Sequence, residues 1–188
     1  MKKLVFGIAL AAAMASTVLS AQAGTEWAWK QVSAGPQHTA AIRADGTLWA
    51  WGNNGYGRIG DGTITTHDPR GTVNNNRHTP IQIGTDANWA YVSAGVAHTV
   101  AVRTDGTLWA WGSNLHGALG DGTNNRYAPV PTRIGMDYDW ALVAAGLNHT
   151  TAVRSDGSLW AWGSDYYRRL CDDATADRHA PVRIGPGP

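Results

Sequence analysis

Cysteine is almost absent from this chain: Cys171 is the only one among 188 residues. A lone thiol excludes an internal disulfide, so the fold must rest on packing. Lysine is nearly as scarce. Beyond Lys2 and Lys3 only Lys30 remains, and residues 24–188 carry 13 basic and 14 acidic side chains. Without a basic stripe there is no electrostatic footprint for nucleic acid or for an acidic membrane surface. Phenylalanine occurs once, against ten tryptophans, all of them beyond residue 23. Outside residues 4–19 no run approaches transmembrane length. No segment sustains a helical apolar period either, so residues 24–188 read as nearly all β.

The first 23 residues have the layout of an export signal. Lys2 and Lys3 give a positive start, Leu4 to Leu19 is apolar apart from Ser16 and Thr17, and Ala21-Gln22-Ala23 is a small-x-small cleavage site. The expectation is a mature chain that begins at Gly24 and resides in the periplasm or outside the cell, with no membrane attachment after cleavage. Its 165 residues suffice for one domain with a real core.

What is abundant is repetition. One block recurs at Val32 to Gly52, Val92 to Gly112 and Val143 to Gly163, with its histidines at His38, His98 and His149. Self-similarity at offsets of 60 and 51 residues signals stacked supersecondary units. The repeats cover approximately 29–84, 89–135 and 140–185, within a domain 24–188. Each reads as four short strands, in copy one Trp29 to Gly35, His38 to Arg43, Thr47 to Trp51 and Pro80 to Ile83. The fourth strands of the other copies are expected at Pro129 to Ile134 and Pro181 to Ile184, with proline at the start. Asp45-Gly46, Asp105-Gly106 and Asp156-Gly157 join the second and third strands as hairpins, with a type I′ turn expected from the dipeptide.

The third strand indicates the packing. In Leu48-Trp49-Ala50-Trp51-Gly52 both tryptophans share one face, and Leu48, Ala50 and Gly52 share the other. Neither face is polar, so both are covered. Four-stranded antiparallel sheets stacked around an axis, bulky face on small face, satisfy this. The fold class is therefore all-β, with about three propeller-type blades, a partial β-propeller.

No Trp-Asp dipeptide and no Gly-Gly pair occurs, which sets aside two common propeller repeats. Ala34-Gly35-x-x-His38-Thr39, Asp45-Gly46-Thr47-Leu48-Trp49-Ala50-Trp51-Gly52 and Gly57-x-x-Gly60-Asp61-Gly62 instead resemble the regulator of chromosome condensation repeat family. The resemblance covers residues 29–185 and implies a seven-bladed propeller without a shared enzymatic activity, of which this chain carries three repeats. It also implies a rigid scaffold that presents loops to another macromolecule. Members of the family include an exchange factor for a small GTPase, a plant photoreceptor and a secreted inhibitor of β-lactamases.

Candidate chemistry is thin. Three ring-related histidines could face one metal, but a His-Thr pair that satisfies backbone groups in its own blade explains them more simply. Ser33 and Ser93 lack a nucleophile elbow, and copy three has Ala144 there. The aspartates of Asp45, Asp105 and Asp156 belong to turns, and Asp61-Gly-Thr and Asp121-Gly-Thr lack the ligand density of a calcium loop. Tryptophans at alternating strand positions are core rather than chromophore. The chain is expected to be no enzyme and to need no cofactor or metal.

Where the copies disagree, the scaffold does not dictate the residue. After the Trp-Gly corner the variable stretches are Asn53 to Tyr56, Ser113 to His116 and Ser164 to Tyr167, and around Ile64 to Val73 one loop is longer. Tyr56, Leu115, His116, Tyr166 and Tyr167 are contact-type residues there and form the expected site for a protein partner. Three alternatives stand: an exported protein-binding module, an exchange factor by family analogy, and a structural fragment that completes a ring by self-association or has no function. Open sheet edges favour the homo-oligomer over a free monomer. In copy three, Arg168, Cys171 and Asp173 replace loop glycines, which reads as a polar cap or as decay.

Overall fold

The computed structural model describes residues 28–68, 71–171 and 176–185. The expected leader, 1–23, and Asp173 lie outside them. Blade 1 starts with β1 (Trp29–Ala34), β2 (His38–Arg43) and β3 (Leu48–Gly52). The lengthened loop then forms its own ribbon, β4 (Thr66–Asp68) paired with β5 (Gly71–Val73), before β6 (Arg77–Gln82) closes the sheet in the order β1-β2-β3-β6. Blade 2 contains β7 (Trp89–Ala94), β8 (His98–Arg103), β9 (Leu108–Ser113) and β10 (Tyr127–Ile134). Blade 3 contains β11 (Trp140–Ala145), β12 (His149–Arg154), β13 (Leu159–Gly163) and β14 (Arg178–Ile184). Every sheet pairing is antiparallel, with His38 opposite Gly52 and Ile42 opposite Leu48 in blade 1.

Two expectations change. The fourth strands begin earlier, at Arg77, Tyr127 and Arg178, so their prolines sit inside the strand. Register breaks between Ala50 and Gly52, Ala128 and Thr132, and Ala161 and Gly163 let an edge strand bypass proline's missing donor. The Asp-Gly hairpins also differ. Gly46 N donates to Arg43 O at 2.9 Å and Arg43 N to Thr47 O at 3.0 Å. Gly46 has φ 83°, while Asp45 keeps negative φ. The loop is thus a type I turn followed by one left-handed glycine, not type I′. The cause is local. Asp45 Oδ1 accepts from Thr47 N at 3.0 Å and Thr47 Oγ1 at 2.6 Å, which holds the aspartate on the right-handed side. Asp105 and Thr107 repeat this.

The core lies between blades. Ala40, Ile42, Leu48 and Ala50 of blade 1 pack against Trp89, Val92, Ala101 and Trp111 of blade 2. Val100, Val102, Leu108 and Ala110 of blade 2 meet Trp140, Val143, Ala152 and Trp162 of blade 3. Small face on bulky face is the expected arrangement. Within blade 2, Trp89 meets Trp109 at 5.9 Å and Trp111 at 6.2 Å, edge to face. The Arg103 guanidinium lies 3.8 Å from the Trp109 ring centre. Blade 3 repeats the cluster with Trp140, Trp160, Trp162 and Arg154.

Candidate protein-binding rim

The repeated polar residues join the blades. His38 Nε2 lies 2.7 Å from Thr99 Oγ1 of the next blade, and Thr99 Oγ1 donates to Arg58 O at 2.9 Å. Trp111 Nε1 donates to the same carbonyl at 3.0 Å. His98, Thr150, Trp162 and Ala118 O form the second relay, with distances of 3.0, 2.8 and 3.0 Å. This corrects the expectation that each His-Thr pair serves its own blade: the threonine belongs to the blade that follows. Because the threonine's one hydrogen is committed to a carbonyl, the imidazole must donate from Nε2. Nδ1 of His38 and of His98 is then buried without a partner among the described residues. Burial first, then Arg58 and His98, lowers the His38 pKa to about 3. Burial first, then His149, lowers that of His98 to about 4. The serines are linkers too: Ser33 Oγ accepts from Ala94 N and Ser93 Oγ from Ala145 N, both at 3.0 Å.

Asp61 is a turn residue, as expected. Its Oδ1 takes Thr63 N at 2.9 Å and Thr63 Oγ1 at 2.6 Å, and Arg77 Nε donates to Oδ2 at 2.6 Å. Among the described residues no three His, Cys, Asp or Glu side chains gather as a metal site. No helix among them is long and apolar enough to cross a membrane.

The variable loops share the end of the stack where β3, β9 and β13 finish. Tyr166 and Tyr167 are 75% and 78% exposed, with ring centres 4.5 Å apart. Leu115 (39% exposed) and His116 lie on a single 3-10 turn, Leu115–Gly117, and His116 Nδ1 reaches Asp177 Oδ2 of blade 3 at 2.6 Å. Tyr56 (41% exposed) lines a cleft of about 570 Å³ between blades 1 and 2 that holds none of the other four. The structure therefore brings Tyr166 and Tyr167 together, links His116 to blade 3, and gives Tyr56 different neighbours.

Of those neighbours, Gln37, Asn53 and the lengthened loop stood out in the sequence as places where the copies differ, whereas Arg58, Arg126 and Tyr127 did not. Gln37, Asn53, Arg58, Arg126 and Tyr127 line the cleft, together with Ile64 to Thr66 from the lengthened loop. Arg58 is only 4% exposed. Its Nε donates to Gly55 O at 2.8 Å, and its Nη1 to Val96 O at 2.7 Å and to Gln37 Oε1. For Arg58 the available signal was the same comparison of copies, since it aligns with Ala118.

Four-stranded blades locked by a repeated His-Thr-carbonyl relay, with divergent loops at one end, define a β-propeller-type repeat protein. The chain belongs to the Regulator of chromosome condensation (RCC1) repeat family. Models of that repeat match residues 29–58, 89–118 and 140–169, and again 45–102 and 105–153. Among relatives, the Ultraviolet-B receptor UVR8 of Arabidopsis thaliana is 29% identical over 158 residues, 82% of this chain and 34% of that one. The human probable E3 ubiquitin-protein ligase HERC3 is 30% identical over 156 residues, 82% of this chain and 14% of that one. A crystal structure of Kap60 bound to yeast RCC1 (Prp20) matches with a TM-score of 0.70 at 24% identity, covering 84% of this chain and 37% of that one. Human WBSCR16 matches with a TM-score of 0.69 at 22% identity. The chain thus spans about a third of the receptor and a seventh of the ligase.

Proposed function

We propose that this chain is an exported, non-enzymatic protein-binding module that contacts its partner through the loop rim. One observation carries the reading: Tyr56, Leu115, Tyr166 and Tyr167 stay exposed where the three copies differ, while shared residues such as His38 and Thr99 join the blades. Tyr166 and Tyr167, with Tyr56, Leu115 and His116, offer the aromatic-rich surface that binding hot spots use. Likeness to yeast RCC1 at 24% identity carries the fold and no exchange activity. Export rests on the layout of residues 1–23.

The test immobilises the chain from Gly24 onward and, beside it, the Tyr166→Ala/Tyr167→Ala variant. The expected result is a protein from the periplasmic or extracellular fraction that binds the first with fixed stoichiometry and the second about tenfold or more weakly. Equal retention on both overturns the rim. A terminus other than Gly24 in the exported protein overturns the cleavage site.

Self-association is a second reading, favoured by the outer face of blade 1. Trp29 and Val32 are exposed there. Thr39 Oγ1 and Trp51 Nε1 have no hydrogen-bond partner among the described residues, although Thr99 and Trp111 are held at the equivalent places by the preceding blade.

A further inference from the structure

The cleft between blades 1 and 2 contains a buried cation without a counter-ion among the described residues. Arg58 pairs with no carboxylate among the described residues, and its Nη2 has no acceptor there. Nη2 is not sealed from solvent, and the open space beside Arg58 is the cleft. A buried guanidinium is costly unless an anion or a full set of acceptors meets it. Burial does pull its pKa down. A second guanidinium, Arg126, is exposed on the same cleft and is also unpaired among the described residues. Among the described residues no acidic side chain lines the space. Tyr56, whose ring centre is 6.0 Å from the Arg58 guanidinium, and Tyr127 add phenol donors.

The neighbouring junction shows what chemistry such a place accepts. Between blades 2 and 3 His116 takes the position of Tyr56, and Asp177 that of Tyr127. There the chain supplies its own carboxylate, with Asp177 Oδ2 at 2.6 Å from His116 Nδ1. Between blades 1 and 2 no such carboxylate stands among the described residues, and Arg58 and Arg126 take the places of Ala118 and Ala176. The walls are also particular to this junction, because Ile64 to Thr66 come from the lengthened loop.

We propose that this cleft binds a carboxylate side chain, Asp or Glu, presented by a loop of a partner protein. The carboxylate accepts from Arg58 Nη2 and from the Arg126 guanidinium, and its flanking backbone lies against Tyr56 and Tyr127. Arg58 is held in place by Gly55 O, Val96 O and Gln37, so little ordering is needed on binding. A charge-assisted contact of this kind weakens with added salt.

The proposal rests on the reading of the rim as a binding surface, but its test needs no partner. A five-residue peptide with two glutamates, its glutamine counterpart and inorganic sulfate are titrated into the chain from Gly24 onward, with backbone amide shifts as the readout. The glutamate peptide is expected to bind about tenfold more tightly than the glutamine peptide, with shifts around Tyr56 and Tyr127. Arg126→Gln, an exposed change that leaves the fold alone, is expected to cost about fivefold or more, and Arg58→Gln at least as much. Equal binding of the two peptides, or an unaffected Arg126→Gln, overturns the proposal. So does sulfate that binds as tightly as the glutamate peptide, since the cleft is then an inorganic anion site only. None of these failures touches the Tyr166 and Tyr167 test.

Discussion

His38 and His98 turn the stack into a pH-sensitive structure. Both are neutral in the fold, with pKa values of about 3 and about 4, while an unfolded histidine titrates near 6.5. Below pH 6.5 the unfolded chain binds the extra protons, so stability falls as pH falls and is fully present above that value. The slope each histidine adds grows as pH falls below 6.5 and approaches that of one full proton well below it. The aspartates do not confuse the measurement. Hydrogen bonds from Thr47 and Thr107 hold Asp45 and Asp105 below the usual carboxylate range, so their share is lost only under more acidic conditions. Unfolding free energies at pH 7, 6 and 5 should therefore drop steadily, and His98→Gln should flatten the slope. An unchanged slope in that variant would show that His98 is not the group that titrates. The residue types of this relay were legible in the sequence as three repeated His-Thr pairs. Their partner was not, because the accepting threonine lies 61 or 52 residues away and one period of repetition looks like another.

At the scale of the strand and the turn, most of the fold followed from pattern. Alternation in Leu48 to Gly52 gave the face that carries tryptophan, and Asp-Gly gave the hairpin. The type of turn was not legible, since Asp-Gly serves both type I′ and the three-residue loop, and the choice is made by the Asp45–Thr47 bonds. The early start of β6, β10 and β14 was hidden behind prolines that a bulge accommodates. The ribbon β4–β5 carried no signal beyond a longer loop. The hairpin glycines now separate two costs that sequence cannot divide. Gly106 and Gly157 share the left-handed conformation, with φ 79° and 83°. A Cβ on Gly106 would run into the carbonyl of Tyr138, which leads into the next blade, whereas one on Gly157 meets nothing within 4 Å. Gly157→Ala should cost about 1 kcal/mol, the conformational term alone. Gly106→Ala should cost clearly more, and Gly106→Val more than Thr104→Ala, by thermal unfolding. Equal melting temperatures for Gly106→Ala and Gly157→Ala would mean that the turn does not support the following blade.

At the scale of the whole molecule, the two outer faces are unequal, and this bears on ring completion. Three positions on blade 1 and three on blade 2 serve the blade that follows. Ser33 and Ser93 accept from it. Gly60 and Gly120 lie under its tryptophan, where a Cβ would fall 2.7 Å from Trp111 Nε1 or 2.5 Å from Trp162 Nε1. Gly57 and Gly117 lie beside its fourth strand, where a Cβ would fall 2.6 Å from the Cα of Pro129 or His179. Blade 3 has Ala144, Cys171 and Arg168 at these places. Blade 1, in contrast, keeps Thr39 and Trp51, whose counterparts on blades 2 and 3 bond to the blade before them. A second copy set head to tail in the same way would bring its Trp51 onto Cys171 and its His78 onto Arg168, where the equivalent glycines leave no room for a Cβ. The ring expected from open edges thus meets a barrier at one end only. The expected outcome is that the chain from Gly24 onward shows no head-to-tail growth, whereas Ala144→Ser/Arg168→Gly/Cys171→Gly associates with rising concentration in light scattering. Head-to-tail contacts that fail to close give open assemblies, so growth beyond a dimer is the signature. Arg168 and Cys171 have φ 55° and 50°, so glycine there also relieves about 1 kcal/mol each of backbone strain. A control separates the two effects. Thr39→Arg, added to the triple variant, should abolish growth and leave the gain in melting temperature. If the triple variant stays at the mass of the parent chain, the side chains of blade 3 are not what limits stacking.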